Sequence, residues 1–312
     1  MPRDHRYEGD LADPFTIAHL TDAHLPPAPW PPTGELALKR LLGFINWKRA
    51  RQSLTDAPML RRLIDDMRAQ KPGHVAMTGD VVNLGLRGEF AAARDWIDGL
   101  GAPEDVSFVP GNHDAYVRQA LAALAQTFIP WTKRDAAERG EGLFPYLRVR
   151  GDVALIGVSS AVPTALFMAT GKVGADQIAK LRAILADARA RGLARVVMVH
   201  HAPISGMHPM RRMIDAAEVA DVLAQEGAEI VLHGHHHRRM VNWIASEKTL
   251  TLGGRIPVDG APQASTRLTD DSRRAAYHLV SLARRGEAVA VSVRARGPDR
   301  ETGLIGELPA VA

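Results

Sequence analysis

Five apolar runs in this chain end on side chains that bind metals or move protons. The polar residues are Asp22 and His24; Asp80; Asn112, His113 and Asp114; His200 with His201; and His235, His236 and His237. The run 106–109 stops at Pro110-Gly111, which reads as a buried strand breaking abruptly into a loop. Asp22 and His24 are two apart, so in an extended segment they point the same way. A single Asn-His-Asp would be read as a turn closed by an Asx hydrogen bond. Five strand ends of this kind are hard to ascribe to chance. Their donors are oxygens and imidazoles with no thiolate. That set suits divalent Mn, Fe, Co or Zn rather than Ca, in an open catalytic centre rather than a closed structural site.

The elements that must position these groups alternate. Strands are expected over 15–20, 74–77, 106–109, 195–199 and 229–232, with helices over 59–70, 89–100, 115–126, 177–191 and 218–225. That order argues for βαβ units around a mostly parallel sheet, whose carboxyl edge is where such sheets place ligands. The segments 146–149 and 153–158 flank Arg150-Gly151-Asp152 as a hairpin. From residue 240 onward strand and turn predominate, over 240–245, 250–252, 275–282 and 288–293. This predicts a second, more antiparallel sheet, with a loose end from Gly297. No repeat, low-complexity tract or linker divides the chain, so 1–312 is read as one domain.

The unusual texture is an insertion at about 26–57. It begins proline-rich, then sets Leu38, Leu41, Leu42 and Ile45 at helical spacing among Lys39, Arg40, Lys48, Arg49 and Arg51. Residues 34–51 read as a surface helix packed by its apolar stripe. The alternative is a flap beside the site, suited to an anionic or acylated substrate and to membrane-surface contact.

Composition narrows the classes. The 312 residues include no cysteine, which excludes disulfides, thiolate metal sites and a cysteine nucleophile. No run is long and apolar enough to span a bilayer, and residues 1–14 carry no apolar signal segment. A cytoplasmic protein is therefore expected, possible contact with the inner membrane face included. The net charge of +4 comes from scattered basic residues, and aromatics make up only 5%. Neither feature favours a nucleic-acid partner; a small phosphorylated substrate fits better.

Together, Asp22-x-His24, Gly79-Asp80, Gly111-Asn112-His113-Asp114, His200 and Gly234-His235-x-His237 resemble the calcineurin-like metallophosphoesterases, with the blocks in family order from residue 15 to about 255. The resemblance implies an α/β fold, a four-layer αββα sandwich of two mixed β-sheets flanked by helices. It implies two divalent metal ions at the strand ends. Asp22, His24, Asp80 and His237 would hold one; Asp80, Asn112, His200 and His235 the other. His113 would face substrate, with Asp114 fixing its ring.

Charge arithmetic agrees with that assignment. Two divalent ions carry about +4, and Asp22, Asp80 and a bridging hydroxide remove roughly three charges. The residual positive charge draws a phosphate anion in, and the hydroxide is the expected in-line nucleophile. A protonated His113 would stabilise phosphoryl oxygens or protonate the leaving alkoxide. His201 and His236 adjoin proposed ligands and could exchange roles with them. His200, directly after the strand, is preferred as ligand, with His201 supporting it from behind and His236 exposed or touching substrate. His5, His19, His74, His208, His233 and His278 are read as structural. A phosphodiesterase is the expected function. The alternatives are a pyrophosphohydrolase of a nucleotide-linked lipid such as UDP-diacylglucosamine, a nuclease, or a metal-binding scaffold without catalysis.

Overall fold

The computed structural model describes residues 14–26, 30–35, 38–138 and 140–310. His5 and part of the proline-rich start of the insertion lie outside these residues. Two mixed six-stranded sheets pack face to face. The first has the order β12-β11-β10-β1-β2-β3, built from β1 (Phe15–Leu20), β2 (His74–Met77), β3 (Val106–Phe108), β10 (Tyr277–Arg285), β11 (Ala288–Pro298) and β12 (Ile305–Glu307). The second has the order β4-β5-β6-β7-β9-β8, from β4 (Tyr146–Arg150), β5 (Val153–Gly157), β6 (Ala194–Met198), β7 (Ile230–His233), β8 (Met240–Ala245) and β9 (Arg255–Gly260).

Three cores follow from that layering. Ile17, Ala76, Val109, Leu155, Val196, Leu232 and Val280 fill the space between the sheets. Helices α2 (Ala57–Ala69), α3 (Arg87–Asp98) and α4 (Leu121–Thr132) cover the outer face of the first sheet, with Leu63, Met67, Phe90 and Phe128 buried there. Helices α5 (Ala175–Ala190) and α6 (Ala216–Glu226) cover the second through Leu181, Leu185, Val219 and Leu223. This is the four-layer sandwich expected. Central strands buried on both faces read as continuous apolar runs, as in β5 and in β6 after Arg195. Helix α2 starts where the Asp56 carboxylate accepts the Met59 N–H at 2.9 Å, with Pro58 in the first turn.

The carboxyl-terminal half differs from expectation. Its strands do not form a sheet of their own. Strand β10 pairs antiparallel with β1 in the first sheet, while β8 and β9 complete the second. The short strand expected over 250–252 is replaced by β9, which was obscured by Pro257 in its middle. Pairing with β8 places Pro257 opposite Trp243. The loose end expected from Gly297 is also corrected: β11 runs through Pro298, and β12 pairs back onto it at Arg296, Gly297 and Pro298.

The insertion forms α1 (Leu38–Asn46), a π-helical turn over Trp47–Arg51 and a short 3-10 turn. It is docked rather than loose. Trp47 packs on Leu84, Leu86, Phe44 and Tyr116 as a small separate core. Lys39 donates to the carbonyls of Tyr116 and Thr164, each at 2.8 Å. Buried Arg40 donates to the carbonyls of Leu84, Glu35 and Gly85.

Candidate metal centre

Strands β1, β2 and β3 are parallel, as are β6 and β7, so five carboxyl ends gather at one edge of the sandwich. The loops leaving them carry the ionisable groups singled out above. Asp22, His24, Asp80 and His237 place one ligand atom each within 4.8 Å of one another. His200, His201 and His235 form an adjoining set at the same spacing. Asp80 joins the two: its carboxylate lies 3.9 Å from His24 Nε2 and 3.3 Å from His200 Nε2. Asn112 Oδ1 lies 3.3 Å from His200 Nε2. His237 Nε2 lies 3.1 Å from Asp22 Oδ1. All seven expected ligands thus converge.

Backbone strain marks the same residues. Seven described non-glycine residues adopt positive φ, and five of them are Asp22, His24, Asp80, His235 and His237. Left-handed backbone is disfavoured for L-residues, so its concentration here indicates geometry held for a purpose. Glycines make room for that geometry. A Cβ on Gly111 would overlap the Asp80 carboxylate, and one on Gly234 would overlap Asp22.

These groups fit a pair of divalent ions. Asp22 Oδ1 and His24 Nε2 are buried without a hydrogen-bond partner, so the fold leaves them with lone pairs or protons unspent. Burial pushes the imidazoles of His24, His201 and His235 down, which keeps them neutral and ligand-ready. Burial alone would raise the Asp80 carboxyl, but His200 and His113 beside it hold it well below the usual range. Burial opposes charge on His200, yet Asp80 raises that imidazole to about 9. A cation at the centre would take the place of that proton.

One ring nitrogen of His200 and of His235 is fixed by backbone. His200 Nδ1 bonds the Thr78 carbonyl at 2.6 Å, and His235 Nε2 bonds the Arg211 carbonyl at 2.9 Å. His201 Nδ1 contacts the Ser160 hydroxyl at 2.8 Å, leaving its buried Nε2 without a partner. His201 is therefore placed to support or to join the second set. His236 is half-buried, with its ring near those of His233 and His235.

His113 and Asp114 depart from expectation. Asp114 does not hold the His113 ring. Its carboxylate accepts the backbone N–H groups of Asp80, Val81, Val82 and Gly111, fixing two ligand loops together. Burial, with Asp80 nearby, raises it to about 7. The ring is held instead by Nδ1, which donates to the Asn83 carbonyl at 2.6 Å, and by stacking on Tyr116. Nε2 then bears the lone pair and accepts from Arg51 at 2.9 Å. Burial lowers His113 to about 4, which favours the neutral ring over the protonated form considered above. Asn83 escaped sequence reading because only its backbone oxygen acts. Arg51 was visible as one charge among several in the insertion.

Comparison with known proteins agrees with the geometry. The sequence profile described as Calcineurin-like phosphoesterase matches residues 15–239. No curated protein matches the chain in sequence. Among solved structures, a dimetal phosphatase from Danio rerio superposes with a TM-score of 0.57 at 14% identity, covering 90% of this chain and 99% of that one. The purple acid phosphatase PPD1 from yellow lupin seeds gives 0.54 at 11% identity, covering 95% of this chain and 53% of that one. A 5'-nucleotidase precursor from Thermus thermophilus gives 0.50 at 15% identity, covering 90% and 54%.

Proposed function

Because this chain belongs to the calcineurin-like phosphoesterase family, we propose that it hydrolyses phosphodiesters at a dinuclear centre of divalent Mn, Fe, Zn or Co. Asp22, His24, Asp80 and His237 would hold one ion, and Asp80, Asn112, His200 and His235 the other. The observation that carries this is the convergence of seven donors from five strand ends, with Asp80 between the two sets. When bound, the ions supply positive charge to phosphoryl oxygens and lower the pKa of water towards neutrality.

The chain's own groups do the rest. Neutral Asn112, where a carboxylate could stand, would leave the centre with about one positive charge in excess, matching the single negative charge of a diester. Asp114 holds the 80–82 and 111 backbones in register, so the two ligand loops keep their spacing. His113 would present Nε2 towards substrate once its bond from Arg51 is released, its other nitrogen being committed to Asn83. The test is turnover by the Mn-loaded protein of bis(p-nitrophenyl) phosphate against p-nitrophenyl phosphate. A kcat/KM favouring the diester supports the reading; preference for the monoester replaces it with a phosphatase.

A second reading, cleavage of a nucleotide-linked lipid by a cytoplasmic enzyme at the inner membrane face, has its own support. Among the described residues no helix is long and apolar enough to cross a membrane. Yet Leu38 is 69% exposed beside Lys39, whose amine bonds Thr164, and Phe167 in that neighbouring loop is 81% exposed with positive φ. Exposed apolar side chains beside a cation suit an acylated anion. Cosedimentation with anionic vesicles, lost in Leu38→Ser with Phe167→Ser, would support it; equal partitioning of both proteins would remove it.

A further inference from the structure

Arg51 is the last residue of the π-helical turn, and that turn carries its guanidinium from the insertion into the metal centre. Its Nη1 donates to His113 Nε2 at 2.9 Å. Asp80 and Asp22 act on it through space, but among the described residues no carboxylate pairs with it. A half-buried guanidinium ordinarily finds a carboxylate or an anion, because its five donors and its charge are costly to leave unmatched. Here its partner is a neutral ring nitrogen, which satisfies one donor and no charge.

The segment that delivers Arg51 is rigidly anchored. Trp47 is buried against Leu84 and Leu86, Arg40 is tied to three carbonyls, and Lys39 lies 4.5 Å over the Tyr116 ring. Tyr116 in turn stacks on His113 at a ring separation of 5.6 Å. On the far side, the Thr55 hydroxyl donates to the Arg51 carbonyl, and Asp56 N–H donates to the Ser265 carbonyl. The interruption of regular helix at Trp47–Arg51 is therefore braced from both ends, as π-turns at functional sites are.

We infer that Arg51 is an oxyanion-binding residue of the active site, receiving a non-bridging phosphoryl oxygen of the substrate when that group seats over the metal ligands. Planar and forked, the guanidinium matches two phosphoryl oxygens as a lysine amine does not. Moving its donor from His113 to the phosphoryl group exchanges a neutral partner for an anionic one and frees Nε2 to face the substrate. No proton is transferred in this step. The inference rests on the phosphoesterase reading for the identity of its ligand, but its direct readout is anion binding rather than turnover.

The experiment titrates inorganic phosphate into the Mn-loaded full-length protein by calorimetry, with metal content measured in every sample. Wild type should bind phosphate. Arg51→Met should weaken that binding about 10- to 100-fold with metal content unchanged, and Arg51→Lys should recover part of the loss. Arg49→Met, in the same turn but exposed, should match wild type. Unchanged phosphate affinity in Arg51→Met, even with slowed turnover, would reduce Arg51 to a support for His113 and overturn the inference. Loss of metal in that variant would overturn it equally, as would a wild-type protein that binds no phosphate. A wild type that binds phosphate through Arg51 but hydrolyses no ester would leave the inference standing and remove the hydrolase reading.

Discussion

The backbone N–H of His235 donates to Oδ2 of Asp22 across 2.9 Å, tying the loop after β7 in one sheet to the loop after β1 in the other. Thr21 donates to the same oxygen at 2.8 Å. Oδ2 is thereby spent on structure, and Oδ1 is left turned towards His237 and His24 at 3.1 and 3.8 Å. Metal binding should therefore stabilise the whole sandwich and not only the loops. At a free-ion concentration about 100 times Kd, the gain is about 2.7 kcal/mol. Differential scanning fluorimetry should show wild type rising by several degrees on Mn addition and falling back with a chelator. Asp22→Ala should lose that response; retention of it would remove Asp22 from the ligand set.

Asp80 and His113 separate metal binding from substrate handling. Asp80 lies between both donor sets, and its Oδ1 also accepts the His113 N–H at 2.7 Å. Asp80→Ala should bind less than one ion per chain by metal analysis and show no measurable turnover. His113→Ala should keep both ions and lose about 10²- to 10⁴-fold in kcat, the usual reach of a group that handles a proton or developing charge. Full metal content in Asp80→Ala, or full activity in His113→Ala, would remove that residue from its role.

Much of this was legible in the sequence because metal ligands are side chains at fixed offsets from strand ends. Local patterns put Asp22, His24, Asp80, Asn112, His200, His235 and His237 at strand ends, the family resemblance implied them as a ligand set, and they converge. What escaped was of two kinds. Backbone groups carry no residue signature, so the Asn83 carbonyl that holds His113, and the Thr78 carbonyl that holds His200, are invisible until the loops meet. Non-local pairing is likewise unwritten: antiparallel β10 completes the sheet of β1 although 267 positions separate Phe15 from its partner Leu282. Asp114 illustrates both. The family resemblance implied a partner for the His113 ring, whereas four backbone N–H groups claim its carboxylate.

Away from the site, the sandwich contains a fully buried ion pair. Arg195 Nη2 and Glu229 Oε1 are 2.7 Å apart, with both side chains completely enclosed. Glu229 also accepts Leu250 N–H at 2.8 Å, and Arg195 donates to the Lys248 carbonyl at 2.8 Å. Removing either partner strands a buried charge, so Arg195→Met or Glu229→Gln should cost about 3–5 kcal/mol in urea unfolding. The double variant should be destabilised by less than the sum of the two. Metal binding by the folded fraction should be unchanged, since the pair lies at the amino end of β6 and the centre at its carboxyl end. Additive losses would show that the two groups do not act as a pair.

The pH dependence of stability can be followed at Asp66, which joins α2 to the first sheet. Its carboxylate accepts from Arg296 Nε at 2.7 Å and Nη2 at 2.8 Å, and from the Tyr277 hydroxyl at 2.6 Å. Burial alone would raise this carboxyl, but the Arg296 and Tyr277 bonds outweigh it and hold it below its ordinary value. A depressed folded-state pKa means the ionised form is favoured by folding. The contribution is therefore complete above the unfolded carboxyl pKa of about 3.9 and is lost as pH falls through the lower folded value. Partial solvent access screens the pair, which limits the gain to about 1 kcal/mol. Asp66→Asn should lower Tm by a few degrees at pH 7, with the gap to wild type closing below about pH 4. A gap that stays constant from pH 7 to pH 3 would show that shape and hydrogen bonding, not the carboxylate charge, fasten α2 to β10 and β11.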